Sequence, residues 1–290
     1  MTRRLRIVIV SDNCVERPGL LAEHGFAAWV EADGFRLLFD TGQGMALVHN
    51  ADKLRLPLET LGAVVLSHGH YDHTGGLAAV LARSAAARLY LHPAAAGAKF
   101  ARSQAPPHRA IGMPPDARAA LERAGGRVSR NTAAAEIAAG VIATGEIPRT
   151  RPAPAGGGRF FLDPECSTPD LFADEQALLI ETPAGLVVIT GCAHAGLPAT
   201  LDWCRVLGRG RPVHAVFGGF HLAAATEAEL ESAAAALEGS GVRWIGACHC
   251  TGARGRDFLR GRFPGLMLDT GCGTVWELPE GGTATGLKAS

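Results

Sequence analysis

The stretch Ser67-His68-Gly69-His70-Tyr71-Asp72-His73-Thr74-Gly75-Gly76 sets the hardest constraint on how this chain folds. Three imidazoles and a carboxylate lie between His68 and His73. They follow the apolar run Ala63-Val64-Val65-Leu66 and precede Leu77-Ala78-Ala79-Val80-Leu81. The first run reads as a buried strand and the second as a helix. Polar groups carried to the end of a buried strand need partners, because burying them unpaired is costly. Imidazole with carboxylate is a ligand set for Zn²⁺ and related divalent ions. His68 and His70 are two apart, so on extended backbone they point the same way. A turn after them lets Asp72 and His73 face a second position. Gly69 lets the backbone bend, and Gly75-Gly76 let the next helix start close by. The bland alternative is a solvated turn with coincidental histidines, and it leaves the apolar strand unexplained.

The rest of the chain supplies the scaffold. Strand-like runs recur at 4–10, 26–32, 35–41, 63–67, 88–92, 177–182, 186–190, 214–219, 243–247, 266–270 and 274–278. Helical patterns cover 75–83, 93–101, 116–124, 198–208, 226–239 and 252–260. Strands follow one another directly in the first third and alternate with helices later. This predicts an α/β chain with two sheets face to face and helices outside. The Pro-rich segments 103–115 and 148–160 read as loops rather than linkers, since strand patterns resume beyond both. Residues 1–290 therefore read as one domain.

Charge and cysteine usage narrow the function classes. Twenty-eight Lys and Arg balance twenty-eight Asp and Glu, which argues against broad nucleic-acid binding and leaves a small molecule as the expected partner. No run reaches the length of a membrane span, and the apolar run after the N-terminal arginines is too short for a signal segment. Seven scattered cysteines suit a reducing cytoplasm better than a disulfide framework. The sequence does not reveal the oligomeric state.

Other candidate residues stand at strand ends. The apolar run 186–190 ends at Gly191, so Cys192 and His194 emerge where sites are usually built. Cys192 reads either as a soft thiolate ligand or as a small buried hydrophobe, and the second reading is preferred. His249 follows the run 243–247. Cys248 and Cys250 flank it and read as packing residues, because Cys-x-Cys without a second pair is a weak zinc signal. His221 ends another strand beside glycines and reads as a substrate-contacting or proton-transferring residue. His92 reads as structural, His24, His49 and His214 carry no motif, and His108 sits in the Pro-rich loop. The pair Asp174-Glu175 before a strand reads as a solvated turn. Arg149, Arg151 and Lys99 are candidates to grip a phosphate.

His-x-His-x-Asp-His after a strand resembles the signature of the metallo-β-lactamase superfamily, and Leu37-Leu38-Phe39-Asp40-Thr41-Gly42 resembles its preceding Asp-Thr-Gly turn. The resemblance covers most of the chain. It implies an αββα sandwich with a two-metal site between the sheet edges, in which Asp40 orders the loops without being a ligand. It also implies one metal held by His68, His70 and His194 and another by Asp72, His73 and His249. Two departures stand out. Gly191-Cys192 replaces the usual Gly-Asp whose aspartate bridges the metals, and Thr144–Arg149 takes the place of the usual histidine motif. Together with Ser11-Asp12-Asn13, Asp174-Glu175-Gln176, Gly218–Leu222 and Cys248–Gly252, the pattern is similar to the branch of 7,8-dihydropterin-6-yl-methyl-4-(β-D-ribofuranosyl)aminobenzene-5′-phosphate synthases and related metal-dependent hydrolases.

The resemblance implies a hydrolase or transferase with two divalent ions, zinc first and iron or manganese as alternatives. Its substrate would be a small anionic metabolite, phosphorylated or pterin-related, with Asp72 and His221 as catalytic groups. A di-iron redox protein of the same fold and a non-catalytic metal-binding protein are the competing expectations.

Overall fold

The computed structural model describes residues 1–149, 159–281 and 285–288. Strands β1 (Leu5–Ser11), β2 (Ala27–Ala32) and β3 (Phe35–Phe39) form an antiparallel meander. After helix α1 (Leu47–Lys53), strand β4 (Ala63–Val65) joins β3 in parallel. A single helical turn, α2 (Tyr71–Thr74), and helix α3 (Leu77–Arg83) lead to β5 (Arg88–Leu91). Two short strands, β6 (Phe100–Ala101) and β7 (Arg109–Ala110), precede α4 (Pro115–Ala124) and β8 (Val128–Arg130). Then come β9 (Ala135–Ala138), β10 (Val141–Ala143), β11 (Phe160–Phe161), β12 (Leu178–Thr182) and β13 (Gly185–Thr190). Helix α5 (Leu197–Leu207), β14 (Val213–Gly219), α6 (Glu227–Ser240), β15 (Trp244–Cys248), α7 (Gly252–Arg262), β16 (Thr274–Leu278) and β17 (Thr285–Lys288) follow.

Among the described residues these build an eight-stranded sheet, β17-β16-β1-β2-β3-β4-β5-β8, and a six-stranded sheet, β15-β14-β13-β12-β10-β9. A small third sheet has the order β11-β6-β7. Three apolar clusters define the layers. Phe26, Phe39, Ile180, Ile189, Phe217 and Trp276 belong to the cluster between the large sheets. Trp29, Leu47, Leu77 and Leu121 fill the layer under α1, α3 and α4, and Leu201, Leu230 and Leu259 the layer under α5, α6 and α7. Central strands such as β4 and β13 are buried on both faces, which is why they read as continuous apolar runs instead of alternating ones. The result is the four-layer αββα sandwich expected from the sequence.

Two expectations fail locally. Residues 93–101 do not form a helix. One 3₁₀ turn, Pro93–Ala96, stops at Gly97, and Phe100 pairs into the small sheet. The run 266–270 touches β15 through a single bridge at Met267, because Leu266 and Leu268 spend their backbone bonds on Ile245 before the chain turns.

The strand ends β1, β3, β4, β13, β14 and β15 release Asp12, Asp40, His68, Cys192, His221 and His249, respectively. Phe217, in β14 between the sheets, is 1% exposed. Phe217→Ala should lower stability by about 3–5 kcal/mol, read by denaturant unfolding, and a loss below about 1 kcal/mol would contradict this account of the inter-sheet core.

Candidate metal centre

Asp40 leaves β3 with a positive φ of 61° and is fully buried. It accepts from the backbone N–H of Ser67 at 2.6 Å and the Ser67 hydroxyl at 2.6 Å, and lies 2.7 Å from His73 Nδ1. These bonds fix two tautomers. A carboxylate only accepts, so His73 carries a proton on Nδ1 and turns Nε2 inward. The Ser67 hydroxyl gives its proton to Asp40, so it accepts from His68 Nδ1 at 2.9 Å, and His68 Nε2 is bare. Asn13 Oδ1 lies 2.9 Å from His249 Nδ1 and does the same for that ring. Gly191 lets the second sheet close on this group, since a Cβ there would overlap the Ser67 hydroxyl.

The bare nitrogens converge. His68, His70 and His194 each present a buried Nε2 with no hydrogen-bond partner among the described residues. The ring centroid of His68 is 4.5 Å from that of His70 and 5.0 Å from that of His194. His73 Nε2 stands 3.2 Å from His249 Nε2 and 3.1 Å from Cys192 Sγ. Asp72 Oδ2 lies 3.5 Å from His249 Nε2 and 3.9 Å from His73 Nε2. All six ligands expected from the sequence thus meet in one place. Two buried ring nitrogens facing each other at 3.2 Å need either a proton or a cation between them.

The electrostatics agree. Burial lowers the pKa of His68 and His194 well below the ordinary value, that of His70 to about 3 and that of His249 to about 4, so these rings are neutral ligands at neutral pH. Burial also acts to lower His73, but the charges of Asp40 and Asp72 outweigh it and raise its pKa to about 9. The site therefore favours positive charge in front of His73. Burial would raise the pKa of Asp72, yet His73, His24 and His249 hold it ionised.

Residues outside the expected set complete the site. His24 Nε2 lies 3.1 Å from Asp72 Oδ2. Gly25 N–H donates to Asn13 Oδ1, which turns the Asn13 amide nitrogen toward His24 Nδ1 at 3.3 Å. His24 therefore carries its proton on Nε2 and gives it to Asp72. Asp12 accepts from the His249 backbone N–H at 2.7 Å. No local pattern marks His24; Asp12 and Asn13 were visible in Ser11-Asp12-Asn13, part of the pattern that carries the resemblance, but without a role assigned to either.

Asp174-Glu175-Gln176 is no solvated turn: all three side chains are buried. Asp174 accepts from Gly69 N–H at 2.8 Å, and Glu175 from the N–H groups of His194 and Ala195 at 2.5 Å each. Gln176 donates to the Leu66 carbonyl at 2.9 Å. Lys99 is likewise no surface phosphate grip. It is buried against Asp170 at 2.7 Å and Asp174 at 2.9 Å. Arg149 stands over the Phe172 ring, whose face stacks on His194 at 4.0 Å. Arg151 lies outside the described residues.

His221 has a positive φ of 53°, a buried Nδ1 without partner, and a ring centroid 4.4 Å from that of His194. It lines a cleft of about 740 Å³ with His24, His249, Phe160, Arg102, Arg109 and Arg159. Three arginines thus border the cleft from the small sheet and its approaches. Arg102 lies on the Phe161 ring at 4.2 Å and Arg109 faces Tyr71 at 5.9 Å. His92 accepts from Ala94 N–H, and His49 lies against the Gly19 carbonyl, local bonds that suit structural roles.

Comparison with known proteins points the same way. Residues 22–157 match the model of the metallo-beta-lactamase superfamily. The chain is 31% identical to a structurally solved metal-dependent hydrolase of the beta-lactamase superfamily, covering 93% of this chain and 98% of that one with a TM-score of 0.78. It is 28% identical over 256 residues to the 7,8-dihydropterin-6-methyl-4-(beta-D-ribofuranosyl)-aminobenzene-5'-phosphate synthase of Methanocaldococcus jannaschii, covering 83% of this chain and 85% of that protein. YhfI of Bacillus subtilis, a metallo-beta-lactamase fold protein, shares the fold at 14% identity and a TM-score of 0.57, over 95% of this chain and 99% of that one.

Asp40 touches two of the inward-facing imidazoles, directly or through Ser67, without entering the cluster. Asp40→Asn should reduce metal affinity about 10–100-fold, read by competition with a chromophoric chelator. Unchanged affinity would show that the tautomers are fixed by something else.

Proposed function

Because the chain belongs to the metallo-β-lactamase superfamily, we propose that it is a metal-dependent hydrolase or group-transfer enzyme for a small phosphorylated metabolite, acting as a single domain. The observation that carries this reading is the convergence of unpartnered imidazoles beside a cleft bordered by Arg102, Arg109 and Arg159. His68, His70 and His194 would hold one ion, and Asp72, His73 and His249 the other. An imidazole-rich set suits zinc or iron better than manganese. Zinc is preferred over iron here, because Asp72 is the one carboxylate near these imidazoles that is not already committed to backbone or hydroxyl donors. The same shortage weighs against a di-iron redox centre.

Bound divalent ions supply Lewis acidity and ionise water near neutral pH. The protein's own groups do the rest. Arginines form charge-assisted, often bidentate bonds with phosphate oxygens, so the cleft mouth selects and orients an anionic substrate. Phe160 and Phe172 pack against His70 and His194 and keep that side of the site dry. Ionised Asp72, held by His24, orients the attacking group, whose proton leaves to solvent through the cleft. His221 gives a proton to the departing oxygen from the cleft wall. For transfer, an acceptor amine or carbon takes the place of water in the same geometry. The names of the two relatives, a hydrolase and a synthase that makes a phosphorylated pterin compound, support both versions.

The test is a metal assay with a substrate panel of phosphomonoesters, phosphodiesters, diphosphates, lactones and thioesters. Turnover should be confined to phosphorylated compounds and vanish on chelation. In His221→Ala, kcat should fall roughly a hundredfold with metal content intact, whereas Arg109→Ala should mainly raise KM. Turnover of lactones alone, or full activity after metal removal, would overturn the proposal.

A further inference from the structure

Cys204 shows what a packing cysteine looks like in this chain. It is fully buried in the apolar layer beneath α5, α6 and α7, with apolar neighbours around it. Cys192 is nearly as buried, at 3% exposure, but its surroundings are different. Its Sγ lies 3.1 Å from His73 Nε2, the ring nitrogen turned away from Asp40. One ligand atom each from His68, Cys192 and His194 fall within 4.8 Å of one another, and the same holds for His73, Cys192 and His249. The sulfur is the corner that these two groups share.

The spacing suits metal coordination. Donor atoms around a tetrahedral zinc, with bonds of about 2.0–2.1 Å to nitrogen and 2.3 Å to sulfur, lie roughly 3.3–3.6 Å apart. His73 Nε2 is 3.1 Å from the sulfur and 3.2 Å from His249 Nε2, close to that range without an ion to set it. Backbone geometry also serves this placement. Ala193, directly after Cys192, takes a positive φ of 55°, and Glu175 clamps the next two N–H groups at 2.5 Å each. A strained turn held by a buried carboxylate is more than a packing side chain needs.

We infer that Cys192 is a thiolate ligand shared between the ion position of His68 and His194 and that of His73 and His249, making this a sulfur-bridged, soft metal centre. The inference rests on the metal-centre reading above. On loading, the S–H bond breaks, its proton leaves to solvent, and the sulfur electron pair binds the ions. Thiolate selects zinc, cadmium or cobalt over magnesium and manganese. Cys250 belongs to neither of those two groups: its Sγ groups with Cys192 and His221 within 4.8 Å, accepts from the His221 backbone N–H at 3.3 Å and lies 3.5 Å from the Cys192 carbonyl.

Cobalt(II) loading of the full-length chain, with bound cobalt counted by elemental analysis, tests this directly. The native protein should show thiolate-to-cobalt charge-transfer absorption. The band should disappear in Cys192→Ala and Cys192→Ser while cobalt stays on the histidines, and persist in Cys250→Ala. Zinc-edge X-ray absorption of the unaltered zinc protein, which needs no variant to fold, should show a sulfur neighbour near 2.3 Å. Cobalt bound without a sulfur band, a band that survives Cys192→Ser, or a zinc shell of nitrogen and oxygen alone would each overturn the inference while leaving the metal centre standing. Failure to bind cobalt or zinc at all would overturn both.

Discussion

The site depends on one buried carboxylate that never faces the cleft. Asp40 takes a backbone N–H, a hydroxyl and an imidazole N–H, each at 2.7 Å or less, from the loop after β4. An isolated charge in that position would be prohibitive, and this one is tolerated because its oxygens are supplied with donors. In return it decides where the protons of His68 and His73 sit. A buried imidazole can be a ligand only if its inward nitrogen is bare, so Asp40 turns two core histidines into donors for a cation. The residue also takes a left-handed backbone conformation, with φ 61°, which such a buried network can enforce.

The same arrangement recurs on the other strand ends. Asp174, Glu175 and Gln176 hold Gly69, His194 with Ala195, and Leu66 in succession, so one tripeptide ties loops from both sheets. Asp12 and Asn13 hold His249 from the end of β1. Burial raises the pKa of Glu175 to about 7 and that of Asp12 to about 6, against the N–H donors that lower both. The fold thus keeps its ionisable framework groups behind the ligands, and gives each one backbone donors. Lys99 belongs to this framework too. Its ammonium offsets Asp170 and Asp174 in the interior, where a buried pair is tolerated because both partners are present.

Much of this was legible in the sequence, and the reasons divide cleanly. The layers followed from period and length: doubly buried strands such as Leu186–Thr190 and Val213–Gly219 read as apolar runs, and α5 and α6 as amphipathic helices between them. The six candidate ligands were legible as strand-end residues, because each follows such a run. The supporting shell was not. Glu175 and Lys99 look like ordinary surface charges in one dimension, since nothing local says that a carboxylate will meet two N–H groups from Cys192–Ala195. His24 lies in the connection between β1 and β2 and reaches Asp72 only because Gly25 packs against the Asp72 carbonyl, where a Cβ would stand 2.6 Å away. The short sheet β11-β6-β7 escaped for a different reason. Two-residue strands carry no period, so the arginines they bring to the cleft had no signal beyond their charge.

Charge is distributed to match these roles. The imidazoles of His68, His70, His194 and His249 are kept neutral by burial, so they contribute lone pairs without repelling a cation. The carboxylate of Asp72 is held from the cleft side by His24, which is half exposed and whose Nε2–H is assigned by the Asn13 amide. Three arginines stand farther out, on the small sheet and its approaches. An anion approaching the cleft therefore meets guanidinium groups first and the buried imidazoles last. Those arginines belong to different elements from the buried imidazoles, so the positive charge at the cleft mouth and the imidazole cluster at its base rest on separate parts of the chain.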